Sequence, residues 1–405
     1  LCKKMLWNIE RLQQVPHKKR VSEDFKMLCK RYRQSDIQMD INDESREVVH
    51  FKDVCVRLRT GVIRKRVKTD FVTKCLNYNY REMNPKLNTL KDNLEKLLRM
   101  IQPDSEQYEL MMDWLGYCLT GHTKEKKFMT LLGYTAANAK STLIEIMKKC
   151  FPIYVLEIGN DAFDKDNSSW QKSFTPLLTN AYRIVYMEEF GEKSIDKQRL
   201  KRFVDGKEIA LRVIYVKSEM AATLHAKLMA NTNRDPNITC ATNGIFRRAV
   251  GQHYTSKFVD DGTEDPSKHI YKADKTLLDS FDDDDWKLAW FHLLLPRTMK
   301  YCQHGLTIPK KNMQIMRAAV EDYDEFSDLF EQYKVTKDNK DMVSKVEIMA
   351  FCESQESLRG NGWRWVLRAL KQKGVMYKSQ ERQTIDGRTV KGFCTGIQLR
   401  KESDA

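Results

Sequence analysis

Three short apolar runs constrain this chain more than any other feature: KKFMTLL at 126–132, AYRIVYM at 181–187 and AKLMAN at 226–231. Each has the length of a strand, and each leads straight into a polar cluster. Helical stretches separate them. That alternation, from about 126 to 260, is the signature of an α/β sheet, in which ligands sit beyond the carboxyl ends of the strands.

The 405 residues suffice for two or three domains with real cores. Composition is 41% hydrophobic with seven tryptophans, which argues for a folded protein. Few glycines and prolines argue against long disordered linkers. No apolar stretch approaches the roughly 20 residues of a membrane span, no signal peptide is evident, and no membrane partner is expected. The ten cysteines are scattered singly with no C-x-x-C pair, so zinc sites, redox motifs and a disulfide framework are disfavoured. Reduced, buried thiols in a cytosolic or nuclear compartment are expected instead. A net charge of +14 favours a polyanionic partner. Without a basic amphipathic anchor or lipidation signal, nucleic acid is the better expectation.

LCKKMLWNIERLQQV and SEDFKMLCKRYRQ show helical spacing, and residues 1 to about 95 read as mostly helical. DSEQYELMMDWLGYCLTG follows as a helix that Asp104 or Ser105 can cap and Gly121 can end, with Tyr108, Met111, Met112, Leu115 and Leu119 on a core face. QMDIND offers Asp40 and Asp43, which read as a solvent turn and not a polymerase metal site. DDDDW at 282–286 reads as a solvated helix start. Beyond about 321 come two helices and a hairpin about Asp386-Gly387, an order that suggests a winged-helix module. In its helix WRWVLRALKQK, Trp363, Val366, Leu367 and Leu370 form a core-like face. Arg364, Arg368 and Lys371 line another, joined by Lys378, Arg382, Arg388 and Lys391 on the wing. This surface either contacts phosphates or is simply a solvated basic face.

The first apolar run enters LLGYTAANAKSTLIEIM, residues 131–147. The order strand, turn, Lys-Ser-Thr, helix is that of a phosphate-binding loop, whose usual form is G-x-x-x-x-G-K-[ST]. Here Tyr134 and Ala139 hold the glycine places, and Gly133 lies one residue out of register. Such a loop works because backbone N–H groups and a helix N-terminus point at anionic oxygens. Alanine at 139 costs about 1 kcal/mol if φ is positive there, and Asn138 tolerates left-handed geometry. Lys140 would neutralise β/γ-phosphate charge, Ser141 would ligate Mg²⁺, and Thr142 opens the helix. RIVYMEEF ends the second run with Glu188-Glu189, which can place one carboxylate near Mg²⁺ and another on water, or serve as an ordinary surface pair. The third run continues as NTNRDP, where Asn231 or Asn233 can sense a phosphate or simply make a turn before Pro236. NGIFRRAV then offers Arg247 and Arg248, as a transition-state arginine in a neighbouring subunit's site or a surface charge pair.

Lysine loop, paired glutamates, Asn-x-x-Pro and arginine pair, in this order, resemble the superfamily 3 helicases. They most resemble the poxvirus-type primase-helicases of nucleocytoplasmic large DNA viruses and their phage and plasmid relatives. The resemblance includes WLGYCLTGHTKEKKFMTLLG, KRFVDGKEIALRVIYVKSEM and WFHLLLPRTMKYCQHGLTIPKK, and runs from about residue 75 onward. It implies an AAA+-like P-loop ATPase core at 123–262, an N-terminal helical collar or oligomerisation domain at 1–122, a helical extension at 263–320 and a winged-helix-like DNA-binding domain at 321–405. Lys140 and Ser141 would be the phosphate and Mg²⁺ ligands, with Gly133, Asn138, Ala139 and Thr142 completing the nucleotide loop. Glu188 would share the metal, Glu189 would activate water, Asn233 would be the polar sensor, and Arg247 or Arg248 the finger. A hairpin within 209–222 would face a central channel, with Lys217 near its tip and Arg212 at its base, and Lys201 would be a further DNA contact. ATP and Mg²⁺ are the implied cofactors. The implied partners are further copies in a ring, typically hexameric, single-stranded or forked DNA, and a primase domain upstream. The opening Leu1 accords with a piece of a longer chain, and the implied location is a viral replication site in host cytoplasm or nucleus. Besides the altered glycines, Lys207 and Asn243 depart from the family's pattern. The alternative is a non-catalytic nucleotide-binding ring or DNA-binding scaffold supporting a primase; a small-molecule kinase fits the basic flanking regions poorly.

Overall fold

The computed structural model describes residues 44–400 except 68–69, 71, 134–136, 179, 192–193, 213–218, 223, 234–242, 261, 263, 322–326, 337, 356–357, 359–361 and 386. The two N-terminal helical segments and the Asp40–Asp43 turn therefore lie outside the described residues. Where helix was expected up to about residue 95, β1 (Val48–His50), β2 (Val54–Arg57) and β3 (Ile63–Lys65) form an antiparallel meander. The reason is local: Val48, Val49, Val54 and Val56 are β-branched and pack well on a pleated surface. Val49, Phe51, Val56 and Leu58 are fully buried there. Among the described residues the first α-helix is α1 (Pro85–Ile101), where Asn84 caps the amide of Leu87 and proline takes the first position. Asp104 caps α2 (Ser105–Cys118) by accepting from the amides of Glu106 and Gln107. Gly121 does not end α2; it lies beyond it, where its amide reaches the Arg46 carbonyl at 2.7 Å.

The three apolar runs become β4 (Phe128–Leu132), β6 (Ile184–Met187) and β9 (Lys227–Thr232), every residue of them buried. With β5 (Val155–Ile158) and β10 (Ala249–His253) they make a five-stranded parallel sheet in the order β10-β4-β9-β6-β5. Side chains alternate between its faces. Met129, Leu131, Tyr186, Met229 and Val250 pack into one core with α1, α2 and α3 (Lys140–Cys150). Phe128, Leu132, Val185, Met187 and Leu228 pack into a second core, which includes Leu200, Phe203 and Val204 of α5 (Lys197–Val204). A short helix, α4 (Gln171–Phe174), precedes β6. Strands β7 (Ile209–Arg212) and β8 (Glu219–Ala222) pair as an antiparallel ribbon outside the sheet, and the short α6 (Asn243–Phe246) leads into β10.

Beyond the sheet, β11 (Lys257–Val259) pairs with β12 (Ile270–Lys272), and α7 (Leu277–Ser280) leads to α8 (Asp284–His304). The acidic run does start α8, with Asp283 as its cap. It is not wholly solvated, however, because Asp285 is buried and paired with Arg81 and Lys86. Helix α8 lies so close on α2 that a Cβ at Gly116 would meet the Arg297 backbone carbon at 2.8 Å. After α9 (Lys310–Glu321), the C-terminal part has its own apolar core. It consists of α10 (Ser327–Gln332), β13 (Tyr333–Val335), β14 (Met342–Ser344), α11 (Lys345–Ser354), α12 (Trp363–Gln372), the long β15 (Met376–Ile385) and β16 (Arg388–Thr395), and β17 (Ile397–Leu399). Gly387 sits at the β15–β16 turn with φ of 76°, a conformation that favours glycine.

Candidate nucleotide-binding site

The loop between β4 and α3 lies at the carboxyl end of the sheet. Ala137 and Ala139 both adopt left-handed backbone, with φ of 61° and 59°. Each costs about 1–2 kcal/mol relative to a glycine-like freedom. Gly133 is required for a different reason: a Cβ there would stand 2.0 Å from the Asn138 amide nitrogen and 2.5 Å from the Lys140 amine. The displaced glycine thus clears the space that the lysine occupies. Ala139 is the N-cap of α3 and supplies no side-chain hydrogen bond, so the first-turn amides keep their capacity for an anion.

Lys140 is buried, and its Nζ donates to the carbonyls of Gly133 (3.1 Å) and Thr232 (3.2 Å) and to Asn233 Oδ1 (2.7 Å). All three acceptors are neutral, and burial pushes the ammonium down to about 8. Strand β9 brings both Thr232 and Asn233 to this amine.

Ser141 Oγ and Tyr186 OH both donate to Glu188 Oε1, at 3.3 and 3.0 Å. The amide nitrogen of Asn231 donates to both hydroxyls, at 3.3 Å to Ser141 and 2.5 Å to Tyr186. Neighbouring Glu189 has a left-handed backbone, φ 51°, and its Oε2 accepts from Asn160 Nδ2 at 2.9 Å. Glu188 and Glu189 are both exposed. Hydroxyl and carboxylate oxygens are hard donors, so Ser141 and Glu188 fit Mg²⁺ chemistry. Among the described residues there is no cluster of three His, Cys, Asp or Glu side chains able to hold a metal. Cys55, Cys118, Cys150, Cys302, Cys352 and Cys394 are buried free thiols.

The loop, Glu188, Glu189 and Asn233 therefore gather at one end of the sheet, and Asn138 lies buried beside Lys140 while Thr142 is half-buried on α3. The arginines differ from each other. Arg248 is engaged within the chain, forked on Asp205 at 2.7 and 2.9 Å and donating to the Gly244 carbonyl at 2.5 Å. That guanidinium holds the Asp205 carboxyl below its usual range. Arg247 is exposed. Lys201 is half-buried on α5, Arg212 closes β7, and Lys217 lies outside the described residues. Arg364, Arg368 and Lys371 are exposed along α12, and Arg382, Arg388 and Lys391 along β15 and β16. They lie on elements of the C-terminal part and not in the loop cluster. Asn160 and Tyr186 were not singled out from the sequence. Strand alternation puts Tyr186 on the side of Glu188 and could have marked it; nothing local marks Asn160.

No family model matches the chain. It is 29% identical over 321 residues to "Putative helicase L207/L206" of Acanthamoeba polyphaga mimivirus, covering 75% of this chain and 33% of that protein. It is 24% identical over 254 residues to "Putative helicase V13" of Sputnik virophage, covering 60% of this chain and 32% of that protein. The chain thus spans about a third of the length of these curated relatives. Among solved structures, an A-form apo structure of the NrS-1 C-terminal region is 13% identical with a TM-score of 0.40, covering 78% of this chain and 76% of that one. A second apo structure of the same region is 12% identical with a TM-score of 0.40, covering 86% and 95%. Scores this low carry no argument about fold. No described helix is long and apolar enough to cross a membrane. Over three quarters of its length, the chain is similar to a viral protein named as a helicase.

Proposed function

We propose that this chain is an ATP- and Mg²⁺-dependent DNA helicase module that works as a ring, hexameric by analogy with superfamily 3 helicases, beside a primase domain at viral replication sites. One observation carries the reading: the buried Lys140 amine and the Ser141 hydroxyl, which meets the Glu188 carboxylate, both stand at the start of α3, where no side chain caps the helix. Three neutral acceptors are a provisional set of partners for an ammonium. Triphosphate oxygens would replace them with charge-assisted bonds, while the first-turn amides receive the remaining oxygens. Ser141 and Glu188 would hold Mg²⁺, which when bound neutralises charge on the β- and γ-phosphates. Glu189, fixed by Asn160, would orient or deprotonate water, and Asn233, exchanging Lys140 for the γ-phosphate, would report its presence. Arg247 would reach the site of the next subunit. Arg212 at the end of β7, Lys217 and Lys201 would grip the strand in the channel. The α12 and wing cations would add phosphate contacts outside it.

The test is Lys140→Ala, assayed for DNA-stimulated ATP hydrolysis and for unwinding of a fork. Both should fall to background; retained hydrolysis would overturn the assignment. Nucleotide binding without turnover in the unaltered protein, with DNA binding intact, would instead establish a non-catalytic scaffold for a primase. The two left-handed alanines are what favours that second reading.

A further inference from the structure

Four side chains from α3, β6 and β9 and the turn after β6 close a ring of hydrogen bonds. Asn231 Nδ2 donates to Ser141 Oγ and Tyr186 OH, and both hydroxyls donate to Glu188 Oε1. With the Asn231 amide in this orientation, each hydroxyl accepts one bond and keeps its proton for the carboxylate. Tyr186 is buried, and its hydroxyl proton is directed at the carboxylate. Two features of the ring do not serve packing. First, Ser141 Oγ and Glu188 Oε1 stand 3.3 Å apart. Adjacent oxygens in an octahedral Mg²⁺ shell, at metal–oxygen distances of about 2.1 Å, are separated by about 3 Å. The pair is therefore held within a few tenths of an ångström of that spacing. Second, Asn231 Oδ1 is buried and has no hydrogen-bond partner among the described residues. Leaving a buried carbonyl oxygen unpaired is costly, and the usual explanation is an ordered water or ion beside it.

Resting on the nucleotide-site reading above, we infer that Tyr186 and Asn231 are positioning residues for a divalent cation held by Ser141 and Glu188. The ring presets the two donor oxygens at adjacent coordination positions, and Asn231 Oδ1 accepts a hydrogen bond from a water that the cation carries. Neither residue touches the cation. Tyr186 fixes the carboxylate rotamer through Oε1, and Asn231 fixes both hydroxyls and one water. Outer partners of this kind are worth about 10–100-fold in metal affinity.

The test uses the full chain with Mn²⁺ as the probe, counted by the loss of its free electron paramagnetic resonance signal in the presence of a non-hydrolysable ATP analogue. Binding of a fluorescent ADP in excess EDTA is measured in parallel. Tyr186→Phe and Asn231→Ala should each weaken Mn²⁺ binding about tenfold or more while leaving metal-free ADP affinity unchanged. A merely structural role would move both readings together, and that result overturns the inference. So does unaltered Mn²⁺ binding in both variants. Should Tyr186→Phe not fold, Asn231→Ala alone decides by the same two readings. If the unaltered protein binds neither fluorescent ADP nor Mn²⁺, the nucleotide-site reading itself falls and takes the inference with it.

Discussion

Ala137 and Ala139 show how a phosphate-loop shape survives without the usual glycines. A methyl group is small enough for left-handed backbone at a cost of about 1–2 kcal/mol, and the loop retains Gly133 at the place where a Cβ would strike Lys140. Ala139→Gly should relieve the strain, less the greater freedom glycine has in the unfolded chain. The expected gain is up to about 1 kcal/mol in urea unfolding, and a loss of stability would show that φ at 139 is negative in solution. Lys140 gives a pH prediction. Its folded value of about 8 lies below the ordinary 10.5 because burial disfavours the charge. Between those values the unfolded chain binds the extra proton, so this group's contribution to stability rises with pH from about 8 to 10.5. A bound triphosphate would restore the ammonium. Calorimetry at pH about 9 in buffers of different ionisation heat should reveal proton uptake on nucleotide binding, absent at pH about 6.5. Equal uptake at both values would contradict the assignment. Burial of a lysine is not in itself a mark of such a site. Lys227, pushed by burial to about 7, simply donates to the Thr120 carbonyl at the other end of the sheet.

Among the elements, the three buried strands and the helix after the loop were legible because their patterns are local. Continuous apolar runs of strand length mark central strands, and 3.6-residue spacing marks α2 and α12. The basic, apolar spacing of the first 95 residues suggests helix, and at β1–β3 the β-branched valines override it. The role of Gly116 was not legible at all. It lies inside the helix that the sequence did mark, yet a Cβ there would strike the backbone of α8, and Thr298 Oγ1 donates to its carbonyl at 2.9 Å. Gly116→Ala gains helix propensity of about 1 kcal/mol but must push α8 away. Overpacking of this kind costs about 1–3 kcal/mol, and more where the obstacle is backbone. A net loss of stability is expected in thermal or urea unfolding; a gain would mean that the two helices sit farther apart.

At the scale of the whole molecule, the structure distinguishes the two members of the arginine pair. The sequence offers Arg247 and Arg248 as equals, but the fold commits Arg248 to Asp205 and leaves Arg247 exposed. Removing Arg248 should therefore lower the unfolding midpoint of the isolated chain, whereas Arg247→Ala should leave it unchanged. If Arg247 completes a neighbour's site, a one-to-one mixture of Arg247→Ala with unaltered protein should hydrolyse ATP at well under half the unaltered rate. A simple average would argue against a shared site. What the sequence determined by itself was written in a fixed local order: the α/β alternation, the strand-loop-lysine-helix segment, the Asp104 cap and the paired carboxylates. Only the tertiary structure decided which groups meet. Asn231 reaches Tyr186 across 45 residues and Ser141 across 90, and Thr298 reaches Gly116 across 182. Strand order and helix packing set those pairings, and hydrophobic periodicity encodes which face of an element is buried but not which distant side chain will be found against it.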